Sequence, residues 1–272
     1  MHKKAQISVF LLIGIVILVI IGIFLYQRTQ VVKAPEMAAP VNVAAVQVYV
    51  QQCLEKTAKD AVLYIGQHGG YYYMPEEFSV FPDINTLNVE TPAPLLNIPF
   101  YFYEGKDFVP TKEEMEKQLS YYVSFNLPGC ADLGAFAQQG FKVEAGAVNV
   151  NSAIGEKNVV FIVDYPVNIS RGNEKQTISR FTTVVNADLI KLYDSANLYM
   201  QSQRNDPTAF FISSLSRICL DKVITFKSLF YGKHELLITL TDDQTRINNQ
   251  PLIFAFAIKY RANETIEGLG AP

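Results

Sequence analysis

The chain has no tryptophan, three cysteines and three histidines in 272 residues. With His2 lying ahead of the first hydrophobic stretch, His68 and His234 are the imidazoles left for the body, and neither has a second histidine, a cysteine or a serine beside it in sequence. A histidine-based metal site or nucleophile–histidine pair is therefore not expected. Cys53, Cys130 and Cys219 lie far apart, without the C-x-x-C spacing of a zinc site. Outside a cell two of them could pair, with Cys53–Cys130 the preferred bridge, and the alternative is three buried thiols. The G-x-S-x-G, H-E-x-x-H, P-loop and G-x-G-x-x-G motifs are missing. Glu113-Glu114 and Asp242-Asp243 are the acidic pairs that calcium or acid–base chemistry would use. They read better as a charge complement at a helix start and a turn. No catalytic residue, metal ligand or cofactor is assigned, and the chain reads as a non-enzyme.

Basic charge is also scarce. The net charge is −3, but Lys3, Lys4, Arg28 and Lys33 all precede the first acidic residue, Glu36. Beyond Lys33, 19 basic residues face all 26 acidic ones, a balance of −7. A nucleic-acid partner wants a basic face, and this body lacks one.

What the sequence has in plenty begins at Ala5. Residues 5–27, AQISVFLLIGIVILVIIGIFLYQ, carry no charge. As a helix they reach roughly 34 Å, enough for a hydrocarbon core of about 30 Å, and a cleaved signal has a shorter apolar region. The expected layout is a basic cytoplasmic head at 1–4, a transmembrane helix at 5–27 and a Pro/Ala stalk at 28–40. An α+β domain follows over 41–262, with a sub-boundary near 140, and a loose tail over 263–272. The short basic head favours an inside amino terminus with the domain exported, so the lipid bilayer is the first partner.

Within the body, Val43, Val46, Val50, Cys53, Leu54, Ala58, Ala61, Val62 and Ile65 keep the 3–4 spacing of one helix face, and Gly69-Gly70 stops it. Thr111-Lys112-Glu113-Glu114 is a capping box opening a helix to about Phe125, with Pro128-Gly129 ending it. Period-two patterns from Phe141 to Asn186, broken by polar turns, predict an antiparallel meander. A helix follows from Leu189, and Asp206-Pro207 reads as the cap of another running to Cys219. The last strands span 236–241 and 252–260. The fold class expected is α+β, with amphipathic helices packed on an antiparallel sheet.

The aromatic runs Tyr71-Tyr72-Tyr73, Phe100–Tyr103 and Tyr121-Tyr122 are the candidate interaction surface, with Tyr71, Tyr72, Tyr73, Tyr101 and Tyr103 named for it. Strand side chains alternate, so half of any such run must face the core.

At Lys3-Lys4-Ala5-Gln6-Ile7-Ser8 the sequence resembles the class III signal of archaeal type IV pilin-like surface proteins. The resemblance covers about 20 residues and implies cleavage between Ala5 and Gln6 by a prepilin peptidase. Gln6 and Ser8 match the family pattern, whereas Phe10 stands in place of its Glu and Gly14 in place of its Leu. That Glu is thought to pair with a neighbouring subunit's amino terminus, which Phe10 cannot do. The expected function is a membrane-anchored cell-envelope protein, structural, adhesive or pilin-like, contacting copies of itself or other envelope proteins. The alternatives are a tethered solute- or glycan-binding module and an anchored hydrolase using buried carboxylates.

Overall fold

The computed structural model describes residues 43–74, 86–89, 96–103, 105–206, 210–231 and 234–261. The expected head, membrane helix, stalk, cleavage site and tail lie outside them. No helix among the described residues is long and apolar enough to cross a membrane.

The first helix, α1 (Val43–Gln67), follows its periodicity: Val46, Val50, Cys53, Leu54, Ala58, Ala61, Val62 and Ile65 are buried, while Glu55, Lys56 and Lys59 are exposed. It ends where the Gly70 amide donates to the Ile65 carbonyl at 2.7 Å, with Gly69 and Gly70 at φ of 54° and 89°. Glycine enters that left-handed region without a Cβ clash. The second helix, α2 (Lys112–Cys130), is capped by Thr111, whose side chain accepts from the Glu114 amide at 3.1 Å. It runs past the expected end near Phe125 and keeps Pro128 inside. A proline this close to a helix end sacrifices one hydrogen bond, and the Ala131 amide still donates to the Leu127 carbonyl. A 3-10 helix over Leu133–Gln139 follows.

The body is α+β, but its strands form two sheets rather than one, and the first is mixed. Strands β1 (Thr86–Val89), β2 (Leu96–Tyr103), β3 (Lys106–Asp107), β8 (Thr225–Tyr231), β9 (Glu235–Ile247) and β10 (Gln250–Lys259) build it in the order β1-β2-β10-β9-β8, with β3 also on β2. The expectation of a purely antiparallel sheet fails at β2 and β10, which run parallel with Phe100 opposite Ala257. Parallel neighbours need a long connection, and here it is most of the body. The second sheet is antiparallel. Strands β4 (Lys142–Ala145) and β5 (Asn149–Ile154) lie end to end along β6 (Asn158–Arg171), and β7 (Glu174–Asn186) pairs with β6 over its length. Alternate residues Val159, Phe161, Val163, Tyr165, Val167 and Ile169 of β6 are buried, as a sheet covered on one face requires.

Two further helices close the first sheet: α3 (Leu189–Asn205), touching β2, β9 and β10, and α4 (Ile212–Lys222), touching α3 and β8. Asp206 does not cap α4 as expected. It closes α3, its amide donating to the Ser202 carbonyl, and its extended backbone (φ −141°, ψ 95°) is what a following proline imposes.

Helix α1 touches both sheets, through β7 and β10, and lies antiparallel to α2, since Tyr49 meets Cys130 and Tyr64 meets Tyr122. A Cβ on Gly66 would sit 2.3 Å from the Ile253 carbonyl oxygen of β10. Backbone therefore meets backbone there, and only glycine fits. Cys53 of α1 and Cys130 of α2 form a disulfide, with Cα atoms 5.6 Å apart and a sequence separation of 77. Cys219 is a buried thiol that burial pushes up to about 11.

Two stability outcomes follow from these contacts. Gly66→Ala is expected to cost about 2–3 kcal/mol of unfolding free energy, because the obstructing atom is backbone and overpacking of this kind costs about that much. A guanidinium melt of the variant checks it, and an unchanged midpoint would mean the helix can move off the sheet. Cys130→Ser is expected to lower stability by about 2–5 kcal/mol, the usual effect of opening a loop this long. The same loss should appear on reducing the wild type and not on reducing the variant.

Candidate functional site

The segment after α1 is held by one buried glutamine. Gln118 lies on the core face of α2 with Met115, Leu119 and Val123, 3% exposed. Its Oε1 accepts from the amides of Tyr72 at 2.9 Å and Tyr73 at 2.8 Å, while its Nε2 donates to Glu114 Oε1 at 2.9 Å. A polar residue inside an apolar stripe is the sequence signal that would have found this clamp. Gln118 orients the backbone of 72–73 so that both rings turn outward against α2.

There they join rings from both helices. The Tyr72 ring centroid lies 5.6 Å from Tyr64, 5.1 Å from Tyr122, 4.3 Å from Tyr73 and 6.5 Å from Phe125, and Tyr73 lies 6.3 Å from Tyr121. His68 stacks on Tyr64 at 3.9 Å, and its Nδ1 lies 2.8 Å from the Tyr64 carbonyl, so that nitrogen carries the hydrogen. Burial lowers the His68 pKa, against the raising effect of that bond. Tyr73, Tyr121 and Phe125 are 50%, 51% and 68% exposed. The cluster is an aromatic patch, and the Asp60 carboxylate lies close enough to Tyr122 to act on it. Burial raises Tyr64 and Tyr122, and burial with a hydrogen bond to Tyr73 pushes Tyr72 up to about 12.

Other residues named from the sequence lie elsewhere. Tyr71 and Tyr101 are in the core, their hydroxyls donating to the carbonyls of Phe108 and Gly69, so they cannot be part of an exposed surface. Tyr101 stacks on Phe256 at 4.8 Å. Tyr103 is half-buried on the first sheet beside Phe100. The structure thus brings Tyr72 and Tyr73 of the named five together with the Tyr121-Tyr122 run and adds Tyr64 and Phe125. Phe125 entered because it lies four residues from Tyr121 and three from Tyr122, on the part of α2 that meets α1 across an antiparallel pair.

Of the acidic pairs, Glu113-Glu114 occupies the first turn of α2. Asp242 is buried at an irregularity of β9, where it accepts from the Gln244 amide and the Thr245 hydroxyl and pairs with Lys191 Nζ at 2.7 Å. Burial alone would raise its carboxyl, but those bonds hold it below the usual range. Asp188, the N-cap of α3, also lies 3.9 Å from Lys191, so one ammonium group answers both carboxylates. Among the described residues no group of three or more His, Cys, Asp or Glu side chains is placed to hold a metal ion.

In comparisons with known proteins, no family model, no curated protein and no solved structure matches the chain.

Raised tyrosine pKa values have a defined sign. The folded chain holds these protons more tightly than the unfolded one, so their stabilisation is complete below pH about 10 and is lost as pH rises towards 12. Unfolding free energy is expected to fall from pH 10 upward. Absorbance at 295 nm should show Tyr72→Phe losing amplitude above pH 11 and not at pH 10, and a loss at pH 10 would contradict this placement of Tyr72.

Proposed function

We propose that this chain is a membrane-anchored, extracytoplasmic protein of the cell envelope that works by protein contact, in a structural, adhesive or pilin-like assembly role. The observation that carries the reading is the exposed aromatic patch of Tyr73, Tyr121 and Phe125 around the half-buried Tyr72. A patch of rigid tyrosine and phenylalanine rings is the composition of a contact surface, since these side chains bury much area at little entropic cost. It stands about 30 Å along α1 from Val43, where the upstream chain with its hydrophobic stretch joins. The Cys53–Cys130 disulfide suits an oxidising, extracytoplasmic compartment. The Lys4-Ala5-Gln6 resemblance adds amino-terminal processing to the proposal, and Phe10 counts against pairing of the family's usual kind.

The test has two parts. The protein recovered from membranes of its native host is expected to begin at Gln6 by intact mass and amino-terminal sequencing. A start at Met1 removes the pilin-like processing and leaves a plain anchor, and a start beyond Ala45 overturns the anchor itself. For the contact role, Phe125→Glu changes a side chain that is 68% exposed and should leave the fold intact. Chemical cross-linking of the full-length protein in its membrane is expected to fall about tenfold or more in the variant. Unchanged cross-linking rejects the patch as a protein contact. Loss of retention on immobilised polysaccharide, with cross-linking unchanged, would transfer the patch to the glycan-binding alternative.

A further inference from the structure

We propose that the free edge of β7 takes up an extended, acid-bearing segment of another polypeptide as an added strand. The site is separate from the aromatic patch. Among the described strands β7 pairs only with β6. The Ala187 amide donates to the Lys157 carbonyl at 3.0 Å and Val185 lies opposite Val159, so odd-numbered residues turn their backbone toward β6. Thr182, Val184 and Asn186 therefore turn theirs to the other edge. A bond there agrees: Gln51 Nε2 of α1 donates to the Thr182 carbonyl at 3.0 Å.

Exposed edges are normally protected by charge, proline or a bulge. The 174–180 half of β7 has Glu174, Lys175 and Arg180, and β8 has Lys227 as its third residue. The sequence from Thr182 to Asn186, TTVVN, has no charge or proline, and the irregularity in the β6 pairing falls earlier, between Asp164 and Val167. This stretch instead lines a cleft of about 580 Å³ between α1 and the tip of the β9–β10 hairpin. Donors and acceptors alternating at strand spacing are met by another backbone and by little else.

Charge selects the occupant. Lys59 and Arg246 stand in the cleft walls, and Lys157 stands in an adjoining cleft of about 520 Å³ that shares Asn186 and Arg246. None of the three makes an ion pair among the described residues, whereas Asp188 and Asp242 are answered by Lys191. Glu55 is the one other acid in the walls, so an incoming acid is favoured. A second copy of β7, uncharged over this stretch, would leave those cations unanswered.

The test uses full-length protein in detergent micelles, labelled with ¹⁵N-valine, and the synthetic peptide acetyl-Thr-Val-Glu-Val-Thr-amide. Amide exchange is read at Val184, which faces the edge, and at Val185, which bonds to β6 and reports folding. Without peptide Val184 should exchange fast and Val185 slowly. Excess peptide is expected to slow Val184 at least about tenfold and leave Val185 unchanged. The analogue with lysine in place of glutamate should give little slowing, and Arg246→Glu should weaken protection by the glutamate peptide. No slowing at Val184 overturns the proposal. So does a Val184 already protected without peptide, which would mean a segment of this chain fills the edge. Protection that grows with protein concentration alone also overturns it and assigns the edge to a second copy.

Discussion

Everything in this body is arranged around how closely α1 can lie on β10. At Gly66 the helix backbone rests on the Ile253 carbonyl, leaving no room for a side chain. That contact sets the height of α1 above the first sheet, and the small residues Ala58 and Ala61 keep the rest of the helix down. The same helix touches β7 of the second sheet. One element therefore supplies core to both sheets, burying Val46, Val50, Leu54, Val62 and Ile65. Loss of registry at Gly66 would be felt on both sides, since close-packed interiors transmit a shift rather than absorb it.

The placement of α2 follows from that of α1. It is joined to α1 by the disulfide near one end and by ring contacts along its middle, and its Gln118 fixes the backbone of 72–73. The aromatic patch is thus a product of helix pairing. In the first sheet, Asp242 organises the irregularity in β9 and Asn248 and Asn249 take positive φ at the hairpin tip, a pair of left-handed residues suited to a tight two-residue turn. The tip is one wall of the cleft along β7. Two surfaces with different chemistry, one of rings and one of backbone edge and cations, therefore depend on the same central helix.

Local pattern made much of this legible. The stripe from Val46 to Ile65, the Thr111 cap, the Arg171–Lys175 turn and the alternation through β6 are all readable because each is decided by neighbours a few residues apart. The parallel pairing of Phe100 with Ala257 is not, because nothing local distinguishes a strand that will meet its partner 157 residues later. The aromatic runs illustrate the limit from another side. Tyr71, Tyr72 and Tyr73 are chemically identical neighbours, and their fates differ because Tyr71 reaches a core carbonyl while Gln118 turns the next two outward. Asp206 shows how one residue serves either of two elements: the extended backbone before a proline ended α3 instead of starting α4. The stretch 5–27 carries the clearest single signal in the chain and lies outside the described residues.

The covalent bridge has a mechanical meaning as well as a thermodynamic one. Tension drawn through the amino-terminal end of α1 meets Cys53 after ten residues and passes there to Cys130, which shortcuts the intervening chain. The chain from one cysteine to the other, a sequence separation of 77 and roughly 260 Å if pulled straight, is withheld from extension for as long as the bridge stands. The ring-bearing turns of α1 and α2 lie inside that withheld loop. Under a pull from the amino-terminal side, the aromatic face would keep its covalent frame after helical turns outside the bridge had been drawn out, and a reducing environment would turn the same stretch into slack.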